Sequence, residues 1–136
     1  MHRRMNKKEC FAAFGIRQHH ERMSWAGISD SKDLVVLTIW NHEKTWDKER
    51  KIIITSNFER NNHLWINKPG NLERINIIQH CIKELSSRFR AIYAEALDKD
   101  SDNLSWKYGT PIKDRWFKIK DFDDKTGEFS SEQLIS

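Results

Sequence analysis

The run Leu34–Trp40, LVVLTIW, constrains the fold more than any other stretch of the chain. It is dense in β-branched side chains, which lose rotamer freedom in a helix but pack well on a pleated surface. A short apolar run precedes it at residues 25–28, WAGI, and the SDSKD between them (29–33) supplies turn chemistry, so residues 23–40 predict a β-hairpin. Loop length then decides what the two flanking tryptophans do. A two-residue loop at Asp30 and Ser31 sets Trp25 opposite Val36, on the face shared by Val36, Thr38 and Trp40; a three-residue loop shifts the pairing by one and splits the tryptophans across the sheet. The turn lacks a glycine to choose between them.

A hairpin this apolar needs cover, and the rest of the chain supplies it. NKKECFAAFG (6–15) has the grammar of a short helix: Asn6 as N-cap, Glu9 closing a capping box, apolar Cys10, Phe11 and Phe14, and Gly15 as the stop. KIIIT (51–55) reads as a third strand buried on both faces. Pro69-Gly70-Asn71 opens the best helix, with Leu72, Ile75, Ile78, Ile82 and Leu85 recurring at helical spacing and Ile77 and Cys81 widening the stripe. RFRAIYAEAL (88–97) and DRWFKIKDF (114–122) are the fourth and fifth strands, and DDKTGEF is a turn with Gly127 in the left-handed position. Strands in runs, with helices inserted and no βαβ alternation, predict an α+β domain. Its sheet is expected to be curved, largely antiparallel and five-stranded, with a barrel-like bend, a short N-terminal helix and one central amphipathic helix packed on it.

The 136 residues read as a single domain able to bury its own core, with 1–22 a basic arm and short helix and 123–136 an acidic tail. Residues 1–22 hold six Lys/Arg against two acids and so carry the whole net charge of +4; from Asp121 onward five acids meet one lysine. That asymmetry biases one end toward polyanions. The apolar runs are too short for a membrane span, and MHRRMNKKECF lacks the apolar segment of a secretory signal, so an intracellular, cytoplasmic protein is expected. Cys10 and Cys81, far apart and among apolar neighbours, are expected to be buried free thiols and not a disulfide or zinc site.

Six tryptophans are many for this length. Trp25, Trp40 and Trp116 fall in strand candidates, where core packing is expected. Trp46, Trp65 and Trp106 stand among polar or turn-forming residues. Aromatics interleaved with Lys44, Lys48, Arg50, Lys51, Lys107 and Tyr108 suit a nucleic-acid surface, because bases stack on rings while cations hold phosphates. Arg3, Arg4, Lys7, Lys8 and Arg22 would extend that surface as an arm. The same rings would suit a pocket for one extruded base.

Catalytic signatures are weak. His19-His20, Asn41-His42 and Asn62-His63 carry the residue types of an HNH nuclease at intervals too long for it. Asp33 with Glu49-Arg50-Lys51 offers the acids and lysine of a PD-(D/E)xK core, but the apolar strand follows the motif instead of leading into it. FDDKTGEF lacks the acid spacing of an EF-hand, and Walker, GxGxxG and GxSxG loops are absent. No metal or cofactor is expected.

The SW…VVLTIW pattern with a downstream TGEF strand end resembles a group of small bacterial and phage proteins, some of them fused to HNH nucleases. It also resembles PUA-like modules, curved sheets whose aromatic pocket reads modified bases. The resemblance spans about half the chain and implies nucleic-acid recognition, DNA first. The leading expectation is a small nucleic-acid-binding domain, a modified-base reader among the options. The alternatives are a phage or mobile-element protein that docks on and inhibits a host enzyme, and a metal-dependent nuclease.

Overall fold

The computed structural model describes residues 5–16, 26–57, 69–98 and 106–134. Within them the expected α+β class is realised, but as a seven-stranded, mixed and mostly antiparallel open sheet. In chain order the elements are α1 (Lys7–Ala12), β1 (Ala26–Ile28), β2 (Val35–Trp40), a 3₁₀ turn (Asn41–Glu43), β3 (Lys44–Asp47), β4 (Ile52–Ser56), α2 (Pro69–Glu84), β5 (Arg88–Ala96), β6 (Trp106–Phe122) and β7 (Phe129–Gln133). The strands lie in the order β1-β2-β5-β6-β7-β4-β3, with β2 and β5 parallel and every other pair antiparallel. The sheet has two edges, β1 and β3, and so does not close into a barrel. It does curve: Lys44 on edge strand β3 sets its ammonium 3.7 Å from the ring centre of Tyr93 on β5.

Two strands beyond the expected five account for the difference. β3 is the polar KTWD stretch. β7 lies inside the acidic tail, and it is an interior strand between β6 and β4. A short polar strand survives there because its inward hydroxyl is satisfied: Ser131 is buried and shares a 2.6 Å hydrogen bond with buried Thr55. The β1–β2 loop also differs from both registers considered. Ala26 pairs with Leu37 and Ile28 with Val35, so Asp30–Asp33 form a four-residue connection. Asp33 stabilises it by accepting from the hydroxyls of Ser29 at 2.8 Å and Ser31 at 2.6 Å, and Lys32 adopts a left-handed φ of 61°. Trp25 lies outside the described residues.

Alternation along the central strands divides the core in two. Val35, Leu37 and Ile39 share a face with Phe89, Ala91, Phe117 and Ile119, and α2 covers it with Ile77, Ile78 and Cys81. Val36 and Ile92 point the other way, into Cys10, Phe11 and Ile16 around α1. The start of α1 follows its sequence grammar: Asn6 accepts from Glu9 N at 2.8 Å, and the Glu9 carboxylate accepts from Asn6 N at 3.2 Å. Both thiols are buried and pushed up to about 12, by burial above all, which leaves them protonated and inert.

The buried stripe of α2 is rotated from the expected one. Leu72 and Ile82 are exposed, whereas Asn71 and Arg74 are buried beside Ile75, Ile77, Ile78 and Cys81. The cause is polar. Asn71 donates to Thr126 O at 2.9 Å, and Arg74 donates to Asn71 Oδ1 at 2.9 Å and Gly127 O at 3.2 Å. These bonds dock α2 on the β6–β7 turn, where Gly127 has the expected left-handed φ, 82°. A side chain at Gly127 would collide with Asn71. Burial pulls the Arg74 guanidinium down to about 10, with Glu43 and Glu128 opposing the shift, so it stays charged at neutral pH. No helix among the described residues is long and apolar enough to cross a membrane.

Candidate functional site

The most irregular point of the sheet is in β6. Phe117 pairs with Phe89 and Ile112 with Ala91, so Lys113, Asp114, Arg115 and Trp116 all face the single residue Arg90. This is a bulge of unusual length, and it falls where β7 ends, opposite Phe117. There β6 loses its second neighbour and is free to leave the ladder. Arg90 holds the excursion: its Nη1 donates to Lys113 O at 3.0 Å and Arg115 O at 2.9 Å. Its guanidinium carbon also lies 3.9 Å from the ring centre of Trp116, with that of Arg88 at 4.8 Å. A planar guanidinium can bond in its plane and stack over its face at once, which a lysine cannot do.

Trp116, expected in the core, is therefore half-buried under two cations. A cleft of about 640 Å³ opens beside it, lined by Arg50, Lys51, Arg88, Arg115 and the carboxylate of Asp114. Gln133 and Leu134 close one wall, and Leu134 N donates to Trp116 O at 2.8 Å. Arg50 is set by a 2.8 Å ion pair to Glu132, which raises Arg50 and holds the Glu132 carboxyl below the usual range. Lys120 reaches the same carboxylate at 3.5 Å. Arg115 is raised chiefly by its hydrogen bond to Asp114, 3.2 Å from Nε to Oδ1. Arg90 is lowered, by burial first and by Arg88 second. Four cations and one carboxylate around an indole make a site for an anion with a planar neighbour.

The bulge has a second side. Asp114 and Arg115 also line a cavity of about 420 Å³ with Asn41, Tyr93, Tyr108 and Thr110. Register puts Tyr93, Tyr108, Thr110 and Ile112 on the face that α2 covers further along the sheet. The Tyr93 hydroxyl is buried and has no hydrogen-bond partner among the described residues, although the Arg115 guanidinium lies beside it. Burial above all raises the Tyr93 phenol, so at neutral pH it is a proton donor. Burial also pulls the Lys44 ammonium below its ordinary value, an effect Arg115 adds to and Glu95 opposes. Glu95 accepts from Asn41 Nδ2 at 2.9 Å.

The structure sorts the aromatic and basic residues named from sequence. Arg50 and Lys51 line the basic cleft, and Tyr108 the second cavity. Trp46 is exposed on β3, one element before the turn that carries Lys48, Arg50 and Lys51; Lys48 is also exposed. Trp40 and Trp106 instead meet edge to face, their centroids 6.2 Å apart, and Trp106 donates its indole N–H to Met5 O at 3.1 Å. Trp106 thus begins a long strand and packs inward, where a turn was expected. Lys107 is exposed beside it, while Lys7 and Lys8 sit on α1, half-buried and exposed. Arg3, Arg4, Arg22, Trp25 and Trp65 lie outside the described residues, as do His19, His20, Asn62 and His63. Arg88, Arg90 and Arg115 are the additions; KDRW alternates like an ordinary strand, and only its charge density marked it.

The nuclease ingredients are not brought together. Asp33 is in the β1–β2 loop at one edge of the sheet and Glu49 in the β3–β4 turn at the other. Among the described residues no three His, Cys, Asp or Glu side chains are grouped so as to hold a metal ion. Comparison of the chain with protein-family models, curated proteins and solved structures finds no match.

Proposed function

We propose that this chain is a small nucleic-acid-binding domain that holds a phosphodiester backbone in the cleft beside the β6 bulge. The observation that carries the reading is the convergence of Arg50, Lys51, Arg88 and Arg115 around the half-buried Trp116, with Asp114 the one carboxylate in the lining. Guanidinium forks pair with phosphate oxygens, and a base beside them stacks on an indole or a guanidinium plane for roughly 1–3 kcal/mol. A single strand fits this chemistry better than a duplex, because stacking needs an exposed base face. Modified-base reading would then depend on the cavity behind the bulge, since Trp40 and Trp106 are packed on each other.

Fluorescence anisotropy with a labelled single-stranded DNA tests the reading. Neutralising three to four cations predicts a log–log salt slope of roughly −2 to −3 for a single strand. Arg88→Ala and Arg115→Ala should each weaken binding at every salt concentration and reduce the slope by roughly 0.7. Absence of binding at low salt to single-stranded, duplex and methylated DNA alike would end the proposal.

One observation favours a protein partner as the second reading: Trp46 is 54% exposed on the edge strand β3. Tryptophan is enriched in binding hot spots, and an edge strand offers unpaired backbone groups. Under that reading Trp46→Ala abolishes a nuclease-resistant complex and leaves DNA affinity intact.

A further inference from the structure

We infer that the cavity behind the bulge is a separate site for a nucleoside monophosphate, with its phosphate at Tyr93, Lys44 and Arg115 and its base toward Tyr108 and Ile112. The inference goes beyond strand binding in the basic cleft, since this site would serve equally a free nucleotide or the phosphorylated terminus of a strand.

The first ground is the Tyr93 hydroxyl. Arg115 is its neighbour but makes no well-formed hydrogen bond to it; a buried hydroxyl so placed costs up to about 1–3 kcal/mol, and phenylalanine would fill the same volume without that cost. Tyr93 otherwise packs as an apolar ring, edge to face on Phe117 with centroids 6.2 Å apart. Its oxygen is the part the core does not need. The second ground is charge. The Lys44 ammonium rests 3.7 Å from the centre of the same ring, and the Arg115 guanidinium lies beside the hydroxyl. Two cations are thus held close enough to repel each other, which an anion between them would relieve. Glu95 and Asp114 are the carboxylates nearby; Glu95 is tied to Asn41 and Asp114 to Arg115. Lys113, Arg115 and Asp114 line the cavity, and Lys44 and Glu95 meet beside Tyr93 and Asn41, which leaves room for an anion without demanding a polyanion.

The third ground is shape. At about 420 Å³ the cavity is in the range of small-ligand sites, roughly 300–1,000 Å³. Ile112 gives it an apolar wall on the Tyr93 face, and Tyr108, Thr110 and Asn41 add polar groups to the lining. The phenol keeps its proton at neutral pH and so donates to a phosphate oxygen. Phosphorylated ligands in general share the anion chemistry; a base is favoured by the apolar Ile112 and by the adjoining cleft, which shares Asp114 and Arg115 with this cavity.

Isothermal titration with AMP, CMP, GMP and UMP, with the four nucleosides and with inorganic phosphate tests the site on the full chain. At least one monophosphate is expected to bind ten-fold or more tighter than its nucleoside and than inorganic phosphate. Tyr93→Phe should weaken that binding at least five-fold with Tm unchanged or raised, because it removes only the unpartnered oxygen. Lys44→Ala should weaken it similarly. A 5′-hydroxyl oligonucleotide, which reports on the basic cleft alone, should bind Tyr93→Phe as it binds the wild type. If a 5′-phosphate then adds affinity that Tyr93→Phe removes, the ligand is a strand end; if it adds none while the monophosphate binds, the ligand is a free nucleotide. Failure of every monophosphate to bind better than phosphate, or equal binding by Tyr93→Phe, overturns the inference, whatever the 5′-hydroxyl oligonucleotide does.

Discussion

Trp106 and Trp116 are on the same strand and have opposite fates. Trp106 opens β6 where Met5 pairs with Gly109 across its outer edge, and its indole N–H has a backbone carbonyl to meet. With Trp40, Ala94 and Ala96 beside it, the half-buried ring packs against the interior. Trp116 ends a bulge that β7 itself does not reach, tied on that side by the one bond from Leu134 N, and its ring is covered by guanidinium groups in place of carbon. An indole packed on carbon contributes stability; a cation-covered indole at a cleft contributes little stability and keeps a face that ligand can compete for. Residue type is therefore a poor guide to role here, and the neighbour across the sheet is a good one.

Substitutions can break that contrast, and the largest effect is expected inside. Trp106→Ala should cost about 2–4 kcal/mol by urea melt, since it opens a cavity beside Trp40 and removes one of the two donors to Met5 O, the other being Gly109 N; a loss near that of Trp116→Ala, about 1 kcal/mol or less, would erase the distinction. Gly109→Ala comes next. Its new methyl would strike the Trp106 ring and approach Cys10 Sγ at 3.2 Å, for a loss of about 1–3 kcal/mol. At the bulge, Arg90→Lys keeps the charge but cannot span both carbonyls and the ring. It should lower strand affinity as much as Arg115→Ala does, with about 1–2 kcal/mol of stability lost; unchanged affinity would mean that the bulge does not need its clamp. The smallest effect concerns Glu132. Arg50 holds its carboxyl low, so its share of stability is complete above the ordinary carboxylate range and is lost as pH falls through the depressed value. In Glu132→Gln the acid limb of a Tm-versus-pH curve should flatten slightly, while Tm at neutral pH falls a little.

Much of the framework was legible because local pattern and tertiary use agree. The capping box of α1, the β-branched LVVLTIW, the strand at residues 88–96 and the turn at Gly127 each combine propensity with position. Legibility failed where satisfaction depends on a distant partner. β7 is interior because Ser131 meets Thr55, and the α2 stripe turns because Arg74 and Asn71 find carbonyls at residues 126 and 127. Helical spacing alone preferred Leu72 and Ile82. The start of β6 was hidden by Gly109 and Pro111, which read as breakers; Gly109 is required by the ring packed over it, and Pro111 is in the half of β6 that β7 does not reach. The site was the least legible part. Trp46 and the Arg50-Lys51 turn stood out as charge beside an aromatic, but nothing local says that KDRW leaves the ladder or that Arg90, one strand away, holds it.

Under the proposed function the bulge binds through Arg88 and Arg115, two cations whose loss the fold is expected to tolerate. Anisotropy titration of a single-stranded oligonucleotide from low to moderate salt, with wild type and the Arg88→Ala/Arg115→Ala pair, tests this most directly. Salt-dependent wild-type binding is expected, with the double variant weaker at every salt, its slope shallower by roughly 1.4, and equal Tm values. Binding by the double variant indistinguishable from wild type, or none by either at low salt, would contradict it.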